Sequence, residues 1–213
     1  MLVEIDSCAI DDSAATRFAV FLALALGADG LSHRGVDGQC TSLGEATTLY
    51  AKAAAGWGDA LLTSSVQAVA STASFALPTG LPTPSLVTRM DADLVVSVLA
   101  PEAATGRAPP PMLLVVDSRT GSGGDAPRLA KVTLGAAVHS WTPMLGSCTL
   151  MLENAAHESN TPGFIPQGEP GSLPVVTPGF PGYARCTNSR LGDVLALPLR
   201  PGEGMLVQLT LYA

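Results

Sequence analysis

The chain has 213 residues, 47% of them hydrophobic and only 14% charged, with a formal net charge of -7 and a mean hydropathy of +0.34. That length suits one large β-rich domain, or one domain with a helical appendage. Acids outnumber bases in both halves and no basic patch occurs, which argues against direct nucleic-acid binding and against attraction to an anionic membrane.

The opening MLVEIDSCAID carries acids where a secretory leader carries bases, so no signal peptide is expected, and the chain is expected to be made in a cytoplasm and to stay soluble or enter a virion or other large assembly there. The alternation of Leu2, Glu4 and Asp6 with Val3 and Ile5 predicts a first strand or an extended arm. Asp12 or Ser13 can cap a helix running through Leu26, with Gly27 and Gly30 to stop it. Its FAVFLALALG run is apolar almost all round, which reads as a buried helix, with a central strand as the alternative. The run is far short of the roughly 20 residues of a membrane-spanning helix.

Residues 27–41 are glycine-rich and read as a loop, one of two places for a ligand site. Ser42 and Glu45 match a capping box and predict a helix over 43–55. After Gly56-Trp57-Gly58, the spacing of Leu62, Val66, Val69 and Ala73 predicts a second helix from Asp59 to about Phe75. Three prolines in LPTGLPTPS, residues 77–85, make a stiff connector. The expected organisation is a helix-containing part over 1–76, that connector, and a β-rich domain over 86–213.

Short apolar runs between Gly/Pro turns then predict strands at Leu94–Leu99, Met112–Val116, Leu129–Val138 and Cys148–Leu152, with a short one at Val175-Val176. A terminal hairpin is expected about Pro201-Gly202-Glu203-Gly204. Its second strand alternates Met205, Val207, Leu209 and Leu211 with Leu206, Gln208, Thr210 and Tyr212. Pro198 lacks an amide donor and places the first of the two at a sheet edge. The fold class expected is α+β and β-dominated: N-terminal helices, then an antiparallel sandwich, jelly roll or partly open barrel with a long Pro/Gly arm.

That arm is residues 160–182. Six prolines and five glycines fall within 161–182, and no Lys or Arg occurs from Val132 to Ala184. Regular structure is excluded there, yet Phe164, Ile165, Val175, Val176 and Phe180 are more apolar than a free linker requires. They are the expected interface residues of an arm lying on its own surface or on a neighbour's.

Catalytic candidates are few. Asp117 follows an apolar run, and His139, His157 or Cys148 would have to supply the base or thiol of a hydrolase. There is no GxSxG elbow, and TGSGG at 120–124 lacks the ending and spacing of a phosphate cradle. The four cysteines form no CxxC pair and the three histidines no metal-binding spacing, so neither metal nor cofactor is expected. Low charge, short strands, a long arm and no catalytic motif together favour a structural subunit of a large symmetric assembly. A virion capsid or capsid-decorating protein, with copies of itself and other assembly proteins as partners, is the leading expectation. The alternatives are a ligand-binding module using loops 27–41 and 118–128, and the hydrolase.

Overall fold

The computed structural model describes residues 2–6, 12–28, 30–34, 57–77, 81–101, 110–121, 126–144, 147, 150–151, 154, 190–191 and 193–212. The helix expected over 43–55, the strand at 175–176 and the arm at 160–182 lie outside them. The described chain is β-dominated, with few helices and largely antiparallel sheets.

Strand β1 (Leu2–Asp6) is followed by helix α1 (Ser13–Ala25) and by β2 (Gly30–Arg34). β1 and β2 pair in parallel, Leu2 opposite Gly30 through Asp6 opposite Arg34. A β–α–β unit was not expected here: 27–41 reads as loop because its glycines mask the short run that becomes β2. Asp12 caps α1 from an extended backbone, its Oδ1 accepting from Ala14 N at 2.9 Å. At the other end Gly27 takes φ +87, and Ala28 N donates to Ala23 O while Gly27 N donates to Leu24 O. This pair of bonds is a Schellman motif, which closes the last carbonyls of the helix and needs a left-handed residue where the glycine stands. Asp12 also accepts from Gly121 N through Oδ2. Asp12→Ala is therefore expected to destabilise the fold by about 1 kcal/mol, measured by chemical denaturation, and to weaken protection of the Gly121 amide.

Residues 57–62 are helical, but the helix expected to reach Phe75 stops there. Ser64–Ser71 is instead strand β3. The apolar positions that suggested helical spacing also fit an edge strand with a bulge between Val66 and Ala68. Strands β4 (Val87–Met90), β5 (Leu94–Pro101) and β6 (Met112–Asp117) follow. The single strand expected at Leu129–Val138 is two, β7 (Arg128–Leu134) and β8 (Val138–Pro143), because the chain turns at Gly135–Ala137. β9 (Arg190–Leu191), β10 (Val194–Leu199) and β11 (Gly204–Leu211) complete the set.

The strand expected at Cys148–Leu152 is also corrected. Ser147, Leu150, Met151 and Asn154 have helical backbone, and their spacing puts these four buried side chains on one face. Ser147 Oγ donates to Leu206 O at 2.6 Å and accepts from Leu206 N at 2.7 Å. The hydroxyl thus supplies β11 with ladder partners where β8 ends at Pro143.

A six-stranded sheet has the order β3-β5-β6-β11-β8-β9, and a three-stranded sheet the order β10-β7-β4. The six-stranded sheet draws β3 from before the 77–85 connector and pairs it with β5 from after it. The terminal hairpin is not a hairpin. β10 pairs with β7 in the small sheet, and β11 lies between β6 and β8 in the large one. The turn between them carries the chain from sheet to sheet. Among the described residues Pro198 lies on an edge strand, since β10 has β7 on one side alone in its sheet.

Register decides which residues face the helix. Ser97 Oγ donates to Ala25 O of α1 at 2.6 Å, and a Cβ on Gly204 would meet the Phe21 ring at 2.8 Å. Ser97 is opposite Leu114 and Leu114 opposite Leu206, so these share the α1 face, while Val96, Val115 and Met205 share the other. Both sets are buried, which is why β5 and β6 read as near-continuous apolar runs. One continuous hydrophobic core takes Phe21 from α1, Leu114 from the large sheet, and Val132 and Leu197 from the small one. No helix among the described residues is long and apolar enough to cross a membrane.

Candidate functional site

Strands β4, β7 and β10 of the small sheet are interspersed among those of the large one, so the chain crosses between sheets repeatedly. Three crossings meet at one place: Asp91–Asp93 between β4 and β5, the described residues 118–121 and 126–127 between β6 and β7, and Arg200–Glu203 between β10 and β11. The residue they converge on is Asp117, the last of β6 and fully buried.

Its carboxylate is held by two arginines. Arg119 Nε donates to Oδ1 at 3.0 Å and to Oδ2 at 2.9 Å, and Arg128 Nε donates to Oδ2 at 2.9 Å. Arg119 N adds a backbone bond to Oδ1 at 3.0 Å, closing a local turn. The arginines then reach onward. Arg128 Nη2 donates to Ala92 O at 2.7 Å and to Asp93 O at 3.2 Å, which fastens the first crossing. Arg119 Nη2 donates to Leu199 O at 3.4 Å, and Asp117 N to Glu203 O at 2.9 Å, which fastens the third. A buried carboxylate is costly unless its lone pairs are taken by well-placed donors, and the planar guanidinium fork is suited to that. Asp93, at φ +58, stands in a left-handed conformation that Asp tolerates better than bulky residues do, and its carbonyl also accepts from Ser118 N.

A second buried carboxylate lies in the third crossing. Glu203 Oε2 accepts from Asn154 Nδ2 and, at 3.1 Å, from Arg200 N, while Oε1 stands 3.6 Å from Arg200 Nη2. Burial pushes the Glu203 carboxyl above its usual range, against the pull of Arg200, Asn154 and Arg17. Asn154 Nδ2 also donates to Pro198 O at 2.8 Å. Arg17 of α1, 1% exposed, donates through Nε to Pro201 O at 3.0 Å. Gly202 has φ +77, and a Cβ there would run into the Ala14 carbonyl.

Of the residues singled out from sequence, Asp117 is the one placed in this cluster. His139 is exposed on β8 and meets Tyr212 edge-on, ring centroids 4.9 Å apart. The structure does not bring these two together. Asp117 adjoins the Gly204 end of β11, and His139 lies beside the Thr210–Leu211 end, about 20 Å along the strand at the usual rise per residue. Cys148 and His157 lie outside the described residues, as do Phe164, Ile165, Val175, Val176 and Phe180. In the 118–128 loop, Arg119 and Gly121 are tied down by Asp117 and Asp12. Asp91 Oδ2 accepts from Lys131 N at 2.8 Å, a bond between crossing and strand. Among the described residues no group of three His, Cys, Asp or Glu side chains is placed to hold a metal ion.

Sequence reasoning missed Arg17, Arg119, Arg128, Asn154 and Glu203. A usable signal existed for two of them: Arg119 and Arg128 are the bases that bracket the glycine-rich loop after Asp117, in a chain poor in charge. Comparison with family models, with curated proteins and with solved structures finds no match for this chain.

Proposed function

We propose that the chain is a structural subunit of a large symmetric assembly, with a virion capsid or capsid-decorating protein as the leading case, acting through contacts with copies of itself and with other assembly proteins. In this reading the two antiparallel sheets pack face to face as a sandwich, and the apolar arm at 160–182 carries the contacts. The supporting observation is the use made of the charges around buried Asp117. Asp117, Arg119 and Arg128 are committed to one another and to the backbone of three crossings, which gives a stiff body suited to transmitting load between neighbours. A charged fraction of only 14% adds to this, because a sparsely charged surface is suited to being covered.

Native mass measurement and electron microscopy of material from its original source test the reading. A high-order particle is expected, and a chain lacking residues 160–182 is expected to keep its circular dichroism and thermal midpoint while forming no particles. A monodisperse monomer from that source, or normal particles from the deleted chain, would overturn it.

A further inference from the structure

The Arg200–Glu203 crossing is gripped from four directions. Arg17 of α1 donates to Pro201 O, and Gly202 lies against the Ala14 carbonyl. Asn154 reaches both Pro198 O and Glu203 Oε2, and the end of β6 donates Asp117 N to Glu203 O. At the centre is a carboxyl with no solvent exposure whose two oxygens are unequally served. Oε2 receives two donors, whereas Oε1 has no hydrogen bond among the described residues.

Among the described residues, the charges facing this carboxyl are Arg200 from its own turn, 14% exposed and 3.6 Å from Oε1, and Arg17 from α1. The helical segment contributes the neutral Asn154, and β6 contributes a backbone N–H. The carboxylate of Asp117 is closed off by Arg119 and Arg128. Ionised, Glu203 holds charge on a fully buried oxygen that Arg200 Nη2 faces at 3.6 Å without a hydrogen bond among the described residues. Neutral, it keeps both acceptor bonds at Oε2 and places no charge in the buried interior.

We infer that Glu203 is a proton-operated clasp on the crossing between the two sheets, tight when its carboxyl is neutral and looser when it is ionised. The sign follows from the direction of the shift. Burial raises the folded value above the ordinary 4.5, so the folded chain keeps this proton over a range where the unfolded chain has released it. The stabilisation is complete below 4.5 and is lost as pH rises through the folded value. It is a property of the isolated chain and does not depend on the assembly reading.

Carbon-13 titration of the Glu203 carboxyl in the full-length chain tests it first. A midpoint above 4.5 is expected, and one at or below 4.5 overturns the inference. Amide protection reports on the crossing: protection at Asp117 and Glu203 is expected to fall once pH passes that midpoint, and unchanged protection overturns the clasp. Thermal unfolding of wild type and Glu203→Gln across the same range is the third readout. The wild type is expected to lose ground to the variant as pH rises, its folded-to-unfolded ratio changing roughly tenfold for each unit of elevation. Parallel profiles count against the clasp. Should the variant not fold, the two wild-type measurements still decide the matter.

Discussion

Asp117→Ala is expected to cost about 3 kcal/mol of folding stability, the low end of what breaking a buried pair entails. In a chain of this length that lowers the thermal midpoint by roughly 6–12 °C. The low end applies because Arg119 and Arg128 keep side-chain exposures of 31% and 26%, so the abandoned guanidiniums can turn partly to water. Asp117→Asn keeps the shape and removes the charge, and is expected to recover only part of the loss. Replacing either arginine by methionine is expected to cost less, since the other still holds the carboxylate. Asp117 and Arg128 should nevertheless couple strongly in a double-mutant cycle, because they share one oxygen and one crossing. A loss below about 1 kcal/mol for Asp117→Ala, within the range of a single ordinary hydrogen bond, would show that the cluster does not lock the crossings.

Gly202→Ala is expected to be at least as damaging, with a cost of about 3 kcal/mol or more, for two separable reasons. Its φ of +77 disfavours any L side chain by about 1–2 kcal/mol. The new methyl would also strike the Ala14 carbonyl and the Phe18 amide, which are backbone of α1 and cannot rotate aside. Gly121→Ala separates the two contributions. Gly121 has φ +95, yet among the described residues nothing stands within 4 Å of where its Cβ would be. That variant is expected to show the conformational cost alone, about 1–2 kcal/mol. Equal losses at both positions, measured by denaturant unfolding, would remove the argument that α1 is seated on the crossing.

What the sequence made legible follows a physical division between local and non-local information. β5 and β6 are readable because strands buried on both faces must be apolar throughout, and β11 because its residues alternate. α1 is readable because Asp12 and Gly27 are local start and stop signals. β3 is misread because Ser, Ala and Val at short intervals satisfy two periods, and what selects the strand is its partner β5, about thirty residues away by register. The 147–154 segment fails in the opposite sense. Leu150 and Met151 look like a short strand until Ser147 and Asn154 are seen to share their helical face. The crossing at Arg200–Glu203 has the residues of a hairpin turn, and no local feature states that its two flanks belong to different sheets. The charge cluster is hidden for the same reason. Asp117 can be singled out at the end of an apolar run, but Glu203 and Asn154 meet only after the topology is complete.

The position of β11 has a consequence for how the protein must be made. β11 covers Gly204–Leu211, the most C-terminal of the described strands, yet it lies between β6 and β8 rather than at a sheet edge. A ribosome that has delivered β6 and β8 has produced two strands whose common neighbour does not yet exist. Both must be kept from pairing with strands of other nascent chains until residue 211 has left the exit tunnel. Closure of the large sheet is therefore a late event with long-range pairing, the kind that folds slowly and exposes strand edges meanwhile. Crowded synthesis on polysomes is the situation in which this protein is most vulnerable, and a chaperone that shields β6 and β8 is the help it would need.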